Sequence, residues 1–267
     1  MMKIGFIGLG NMGGSLARLV AQDERYRSEL LLANRSRDKA ERIAAEVGGQ
    51  SVSNAEVFAQ AEVIFLGIKP AQFADLLADY QEVLEKRESL LLVSMAAGLT
   101  LERLEKMTPS HHRWIRIMPN TPVAVGEGVI SYALSQRAKR ADEDLLRELL
   151  SSAGLLLKLD EKQLDAATAL AGCGPAFVYL FIEALADAGV RAGLSRDISL
   201  QLANQTLLGA AKLSQVSGQH PAQLKDQVCS PAGSTIAGVA SLEENAFRGT
   251  VMDAVQAAYK RTQELGK

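Results

Sequence analysis

The stretch "KIGFIGLGNMGGSLARL" (residues 3–19) largely decides how the chain can fold. It places Gly8, Gly10 and Gly13 in the spacing G-x-G-x-x-G, directly after a short apolar run and before a helix-like one. In that context the first glycine permits a tight turn, the second lets backbone approach a pyrophosphate, and the third lets the helix pack closely on the strand. The alternative is a glycine-rich turn that only packs a helix against a strand.

This motif predicts a dinucleotide site, because backbone N–H groups at a helix N-terminus bind phosphate with the help of the helix dipole. The predicted contacts are Gly8, Gly10, Asn11, Met12 and Gly13.

The end of the second predicted strand bears on which dinucleotide binds. NAD-specific sites usually carry an acid there, about 20 residues after the glycines, that binds the ribose 2′-hydroxyl. This chain has "ANRSR" (residues 33–37) instead, in which no carboxylate would repel a 2′-phosphate and Asn34, Arg35 and Ser36 offer donors. NADPH is therefore favoured as the cofactor, with NADH left open. The alternative is a helix cap with exposed arginines.

The first half of the chain alternates apolar runs with helix-like stretches, which predicts a parallel sheet covered by helices on both faces. The predicted strands are residues 3–8, 29–34, 62–68, 90–95 and 113–118, and the predicted helices are residues 12–22, 36–46, 71–79 and 100–107. The fold class is thus an α/β Rossmann-type domain, doubly wound and mostly parallel, which we place at residues 1–159.

The rest of the chain, residues 160–267, shows only helical spacing and predicts an all-α domain. Its predicted helices are residues 161–171, 175–192, 195–213, 220–228, 233–243 and 245–265. The segment 171–190 is apolar on almost every face, which is typical of a deeply buried helix. We therefore expect an oligomer that covers it; the alternative is burial against the first domain.

Composition excludes several function classes. The 267 residues carry a net charge of −2, which gives no electrostatic reason to bind nucleic acid or an anionic membrane. The chain starts with no leader pattern and no apolar run approaches the ~20 residues of a membrane helix. With only two cysteines, these features predict a cytoplasmic protein. The three histidines lack metal-ligand spacing, so no metal is expected, and His111 and His112 are expected to face solvent.

Two further loops follow predicted strands, at the sheet edge where ligands bind in open α/β folds. They are "LGIKP" (residues 66–70) and "MPNTP" (residues 118–122). Proline makes such loops rigid and is unsuited to strand pairing. We interpret both as walls of the cofactor site near the nicotinamide; ordinary turn chemistry is the alternative.

A second unusual stretch, "VCSPAGSTIAGVASLEE" (residues 228–244), lies in the helical half. It combines turn and N-cap residues with a helix that begins near Thr235. Free N–H groups at such a helix start bind a small carboxylate, and Ser230, Ser234 and Thr235 add hydroxyls. The alternative is an ordinary connection between two helices.

Together these motifs resemble the pyrroline-5-carboxylate reductase family over the whole chain. The segment 228–243 resembles the family's C-terminal signature, and the other matching motifs are "GFIGLGNMG", "NRS", "LGIKP", "SMAAG" (residues 94–98), "MPNTP" and "AGCGPAF" (residues 171–177). The chain departs from the family at Ala232, where a second glycine is frequent, and at Cys173, where serine is frequent.

The resemblance implies reduction of 1-pyrroline-5-carboxylate to L-proline by NADPH or NADH, the last step of proline biosynthesis. It also implies a Rossmann domain and a helical domain that interlocks two subunits as a homodimer, often assembled further into decamers.

The resemblance also assigns roles to individual residues. The backbone N–H groups of Gly233, Ser234 and Thr235, with the Ser230 hydroxyl, would hold the substrate carboxylate, and the catalytic Thr235 Oγ would lie at the ring nitrogen. The residues assigned to the adenosine ribose or its phosphate are Asn34, Arg35, Ser36 and Asn54, and those assigned to the nicotinamide side are Ile68, Lys69, Pro70 and Asn120.

Two other functions compete with this one. A β-hydroxyacid dehydrogenase has a similar N-terminus but uses a lysine in its first large C-terminal helix, and here no lysine lies between Lys162 and Lys212. A non-catalytic NADP(H)-binding sensor is the second alternative, although a sensor has no need of the hydroxyl-rich turn at residues 230–235.

Overall fold

Eight strands form one sheet, and their order brings the glycine-rich turn to a switch point. The computed structural model describes residues 2–265. The strands are β1 (Ile4–Ile7), β2 (Leu30–Ala33), β3 (Gln50–Ser51), β4 (Val63–Leu66), β5 (Leu91–Ser94), β6 (Arg113–Pro119), β7 (Gly128–Leu134) and β8 (Gly154–Lys158). Their order is β3-β2-β1-β4-β5-β6-β7-β8. The order reverses at β1, so a crevice opens at the carboxyl ends of β1 and β4, where dinucleotides bind in such folds.

The helices follow the predicted division into an α/β half and a helical half. In the first half they are α1 (Asn11–Val20), α2 (Glu24–Arg27), α3 (Arg37–Val47), α4 (Asn54–Gln60), α5 (Phe73–Asp79), α6 (Gln81–Lys86), α7 (Leu101–Lys106) and α8 (Arg140–Leu149). They continue as α9 (Leu164–Ala167), α10 (Gly174–Arg191), α11 (Arg196–Ser217), α12 (Pro221–Val228), α13 (Ser234–Glu244) and α14 (Phe247–Leu265). The predicted fold class is confirmed.

All five predicted strands are present, as β1, β2, β4, β5 and β6, and the six strands β1 to β6 run parallel to one another. The sequence prediction missed β3, β7 and β8. The alternation of strands with helices gives no sign of β7, because β7 returns antiparallel to β6 through a short 3-10 turn at Thr121–Val125. The sequence of the edge strand β8 does not alternate, since the exposed Leu155 and Leu157 are as apolar as Leu156, which packs against the core.

Each strand of the sheet sends side chains to both faces, which gives two apolar clusters. Phe6 and Phe65, on the neighbouring strands β1 and β4, stack on one face with ring centroids 4.7 Å apart. Ile7 and Leu66, one residue further along, belong to the cluster on the opposite face. This is why the predicted strands are apolar throughout instead of alternating.

The chain forms two compact units. One comprises the chain up to Cys173 together with the end of α14 from Ala258, and the other comprises Gly174–Ala257. The proposed boundary between residues 159 and 160 stays a prediction.

In the second unit α10 and α11 pack so closely that a Cβ on Gly189 would lie 2.6 Å from Ser199 Oγ. Many large apolar side chains of this unit nevertheless remain exposed, among them Tyr179, Leu180, Leu202, Leu208, Val216 and Met252.

One helical run, Glu161–Arg191, is long and apolar enough to cross a membrane by length and composition alone. No apolar run of this length was expected from the sequence. It forms because α9, a single π turn at Thr168–Gly172 and α10 follow one another without a break.

His112 was expected to face solvent, and this expectation is wrong. The ring is 1% exposed; Nδ1 accepts a hydrogen bond from the Leu90 N–H (3.2 Å), and Nε2 lies 3.1 Å from the Leu84 carbonyl oxygen. A carbonyl can only accept, so Nε2 carries the proton and the ring is neutral. Burial, with His111 nearby, lowers the pKa of His112 to about 4.

We expect this histidine to make folding sensitive to acid. The pKa of His112 in the folded state lies below the unfolded value of about 6.5. Its contribution to the free energy of unfolding is therefore complete above pH ~6.5 and is lost as the pH falls towards 4. At pH 5 the free energy of unfolding should be lower by about 2 kcal/mol than at pH 8 from this group alone. Urea unfolding of the wild type, His112→Asn and His111→Asn at both values measures the effect. Only His112→Asn should reduce the pH difference, and an unchanged difference in that variant would contradict the assignment.

Candidate active site

The three glycines of the motif lie in three different environments. Gly8 has a φ of +90°, and a Cβ there would lie 2.7 Å from the Gly67 carbonyl oxygen. A Cβ on Gly13 would overlap the Gly8 carbonyl oxygen. A Cβ on Gly10, in contrast, would have no neighbour within 4 Å, and the φ of Gly10 is −63°. Backbone packing therefore requires Gly8 and Gly13, whereas the space in front of Gly10 is open.

The open space faces an uncapped helix start. Gly10 is the N-cap of α1 and provides no side-chain hydrogen bond, and the first turn of α1 holds no acidic residue. Asn11 is exposed and Met12 half-buried, so the first N–H groups of the helix have no side-chain acceptor from the N-cap. Such a helix start suits a phosphate. The residues present thus fit the pyrophosphate of a dinucleotide.

This difference between the glycines predicts opposite outcomes for two alanine variants. Gly10→Ala should keep the wild-type melting temperature but weaken NADPH binding at least about tenfold, because the methyl group takes the space that a pyrophosphate needs. Gly13→Ala should lower the stability by about 1–3 kcal/mol through its overlap with backbone. Thermal unfolding and fluorescence titration with NADPH measure both. Unchanged binding by Gly10→Ala would exclude the pyrophosphate from this position.

Asn34 connects the glycine-rich turn to the end of β2. Its Oδ1 accepts a hydrogen bond from the Leu9 N–H (3.0 Å), and its Nδ2 donates to the Ser36 carbonyl oxygen (3.2 Å). Both ends of the amide are therefore bonded to backbone. The structure brings this predicted residue next to the turn, where it holds the loop; its contact with a ribose stays a prediction.

A cleft of about 330 Å³ opens beside Asn34, beyond the carboxyl end of β2. The other residues that line it are Arg37, Ala40, Ser51, Val52, Ser53 and Glu56. Arg35 and Ser36 are exposed on the adjoining loop, and Asn54 is the first residue of α4; none of these three lines the cleft. Their predicted roles remain untested.

Two charged residues of this cleft, Arg37 and Glu56, were missed as site residues. Arg37 closes the quoted stretch "ANRSR", so the signal for it was present. Glu56 belongs to a capping box: its Oε2 accepts hydrogen bonds from the Ser53 N–H and Oγ, both 2.8 Å. These bonds, and Arg37 nearby, lower the pKa of the Glu56 carboxyl. A carboxylate therefore does face this cleft, although β2 itself supplies none.

The loop after β4 lies against the glycine-rich turn. The Gly67 N–H donates to the Ile7 carbonyl oxygen (2.8 Å), and a Cβ on Gly67 would lie 2.6 Å from the Gly8 carbonyl oxygen. Ile68 follows half-buried, Lys69 is exposed, and Pro70 begins a 3-10 turn. These residues are brought beside Gly8; their contact with a nicotinamide stays a prediction.

Asn120, predicted on the nicotinamide side, is 7% exposed, and its side chain joins two backbone segments. Its Oδ1 accepts a hydrogen bond from the Val129 N–H (2.8 Å), and its Nδ2 donates to the Ala171 carbonyl oxygen (3.0 Å). The residue four places after Ala171 is Pro175, which has no N–H to give to that carbonyl. Asn120 thus supplies the hydrogen bond that the helix lacks at its π turn. Its cofactor role stays a prediction.

The four predicted substrate residues meet at the start of α13. Gly233 N–H donates to the Ser230 carbonyl oxygen (3.1 Å), which closes a turn through Pro231 and Ala232. This bond occupies the N–H that the resemblance assigns to the substrate carboxylate, so that role of Gly233 stays a prediction. Gly233 is the N-cap of α13 and makes no side-chain hydrogen bond. A Cβ on Gly233 would overlap Ser230 Oγ, so only glycine lets that hydroxyl lie against the helix start. With Ser234 and Thr235 exposed and no acidic residue in the first turn, this start suits a carboxylate.

Ala232 has a φ of +56°, in the left-handed region that favours glycine. Proline at the second position and a positive φ at the third are the pattern of a type II turn, which normally takes glycine there. The departure from the family at this position therefore carries a backbone cost.

Replacing Ala232 by glycine should raise the free energy of unfolding by about 1 kcal/mol, because it removes the left-handed strain of alanine. Ala246 has nearly the same φ, +54°, outside this turn, so Ala246→Gly should stabilise to a similar extent. Ala237→Gly, inside α13, should destabilise instead by about 1 kcal/mol. Urea unfolding of the three variants provides the measurement. Destabilisation by Ala232→Gly would show that the alanine is not strained.

Neither cysteine forms a disulfide, and both Cys173 and Cys229 are half-buried. Among residues 2–265 there is no group of three or more His, Cys, Asp or Glu side chains that could hold a metal ion.

Comparison with known proteins decides the family. A pyrroline-5-carboxylate reductase of Pisum sativum is 45% identical over 98% of this chain and 95% of its own length. The chain belongs to the pyrroline-5-carboxylate reductase family. Residues 161–265 match the profile of the pyrroline-5-carboxylate reductase dimerisation domain, and residues 3–98 match that of the coenzyme F420-dependent NADP oxidoreductases.

Solved structures of the family agree with the fold. The Plasmodium falciparum pyrroline carboxylate reductase with NADP bound is 37% identical, with a TM-score of 0.89 over 100% of this chain and 98% of that one. The Coxiella burnetii pyrroline-5-carboxylate reductase is 30% identical, with a TM-score of 0.90 over 100% and 99% of the two chains.

Proposed function

We propose that this protein reduces 1-pyrroline-5-carboxylate to L-proline with NADPH, NADH being the second candidate cofactor, as the last step of proline biosynthesis. The observation that carries the proposal is the start of α13, where the Ser230 hydroxyl and the N–H groups of Ser234 and Thr235 converge without an acidic residue in the first turn. Membership of the family and the open, uncapped start of α1 support the same reaction.

The nicotinamide supplies the hydride when the cofactor is bound. The glycine-rich turn and the first N–H groups of α1 would hold the pyrophosphate, and Arg37 would lie at the ribose end. The loop of Ile68, Lys69 and Pro70 would line the nicotinamide side, as would Asn120.

The remaining work is orientation of the imine. Reduction of the C=N bond adds a hydride to carbon and a proton to nitrogen, and a cyclic imine is basic enough to arrive protonated. The helix start would hold the carboxylate, and the Thr235 Oγ would keep a hydrogen bond to the ring nitrogen. No histidine or carboxylate acid is then needed, which agrees with the residues found at this helix start.

The test is the rate of NADPH oxidation with pyrroline-5-carboxylate in the wild type, Thr235→Ala and Thr235→Ser. Thr235→Ala should lower kcat/KM by about 10- to 100-fold, because a hydrogen bond to a charged group is worth about 1.5–3 kcal/mol. Thr235→Ser, which keeps the hydroxyl, should retain most of the activity. All three should melt alike, since Thr235 is exposed.

The contrary outcomes separate the alternatives. If NADPH binds but is not oxidised in the presence of the imine, the prediction of a dinucleotide site stands and the proposed reaction is wrong. Turnover with hydroxyacids and NADP would then favour a hydroxyacid dehydrogenase, and the absence of any turnover would favour a sensor.

We further propose a homodimer formed through the helical unit, with assembly into decamers as a further step. The exposed apolar side chains of α10, α11 and α14, with the long apolar run Glu161–Arg191, are the surface that a second subunit would cover. The dimerisation profile spans the same residues. The unpaired cysteines favour the reducing cytoplasm, and the net charge of −2 favours neither nucleic acid nor membrane partners.

A further inference from the structure

The cleft beyond β2 carries opposite charges from two elements. Arg37 comes from the first turn of α3, and its Nε donates to Glu41 (2.9 Å) on the same helix. Glu56 comes from the first turn of α4. In dinucleotide folds the end of β2 faces the adenosine ribose, where an arginine accommodates a 2′-phosphate and a carboxylate binds the free 2′-hydroxyl. This cleft holds one group of each kind.

Glu56 is fixed in this place by its own helix. Both hydrogen bonds from Ser53 go to Oε2, so the capping box holds the carboxylate at the start of α4 while Oε1 takes no part in it. The same bonds favour the ionised carboxyl, as the direction of its pKa shows. A full negative charge is therefore present in this cleft at neutral pH.

We propose that Glu56 is a specificity-determining residue that limits the preference for NADPH over NADH, by repelling the 2′-phosphate that Arg37 attracts. The inference rests on the proposed function only in taking the cleft as the ribose site of a nicotinamide cofactor. The two residues act in opposite directions, so their balance sets the ratio of the two affinities. A site with Arg37 alone would be more selective for NADPH.

The experiment measures binding without substrate, by fluorescence titration of NADPH and NADH into the wild type, Glu56→Gln and Arg37→Gln. Glutamine also completes a capping box, so Glu56→Gln removes the charge and keeps the helix start. It should tighten NADPH binding about three- to tenfold, as expected for removing one charge near a phosphate in a largely solvated site. NADH binding should not tighten in that variant, because NADH carries no 2′-phosphate and its 2′-hydroxyl can only lose a contact with the carboxylate. Arg37→Gln should weaken NADPH binding and leave NADH binding nearly unchanged.

Glu102→Gln is the matched control, because it makes the same change in net charge at the start of α7, away from this cleft. It should leave the affinities for both nucleotides unchanged. Added salt should reduce the effect of Glu56→Gln, because exposed charges are screened.

The possible failures can be told apart. A wild type that binds neither nucleotide would overturn the proposed function together with this inference. The wild type could instead bind both nucleotides while Glu56→Gln leaves both affinities unchanged or alters them equally. The proposed function would then stand, and Glu56 would serve only in the capping box of α4. Thermal unfolding of each variant shows whether the fold is kept, and Arg37→Gln tests the same balance without touching the capping box.

Discussion

The Gly8 carbonyl oxygen is the point on which the cofactor half of the molecule depends. Three backbone segments meet there: β1 as it ends, the start of α1 at Gly13, and the loop after β4 at Gly67. A side chain on either neighbour would come too close to that oxygen, so the segments can approach only because both are glycines. The turn, the helix start and the loop after β4 consequently pack against one another through backbone atoms.

Features with a local signal could be predicted from the sequence. The strands β1, β2, β4, β5 and β6 show as short apolar runs because both faces of the sheet are covered, and the glycine spacing marks the turn between β1 and α1. The turn before α13 was equally visible, since its proline, glycine and hydroxyl residues act within six positions. Even the strain at Ala232 had a signal, in the residue that departs from the family.

Features that depend on distant residues could not be predicted. His112 is buried because Leu84 and Leu90, more than twenty residues earlier, supply its hydrogen-bond partners. Glu56 looks like an ordinary member of a capping box, and only the fold places it in one cleft with Arg37. The task of Asn120 likewise depends on a carbonyl fifty-one residues away. None of these residues is unusual within its own segment. Periodicity and composition therefore cannot show which distant residue each of them contacts.

The two proposed binding sites, at the starts of α1 and α13, both lack a side-chain cap. Within residues 2–265, five helices begin with a side chain that accepts a hydrogen bond from the first turn; those residues are Asp23, Ser53, Thr100, Ser195 and His220. In contrast, α1 and α13 begin at Gly10 and Gly233, which have extended backbone and no side chain to offer. Their first N–H groups need an acceptor from elsewhere, and an anion provides it with the helix dipole in its favour. In the proposed reaction, the pyrophosphate would complete one helix start and the substrate carboxylate the other. Since hydride transfer to a protonated imine requires orientation more than acid catalysis, two such backbone sites are sufficient for a chain without a dedicated proton donor.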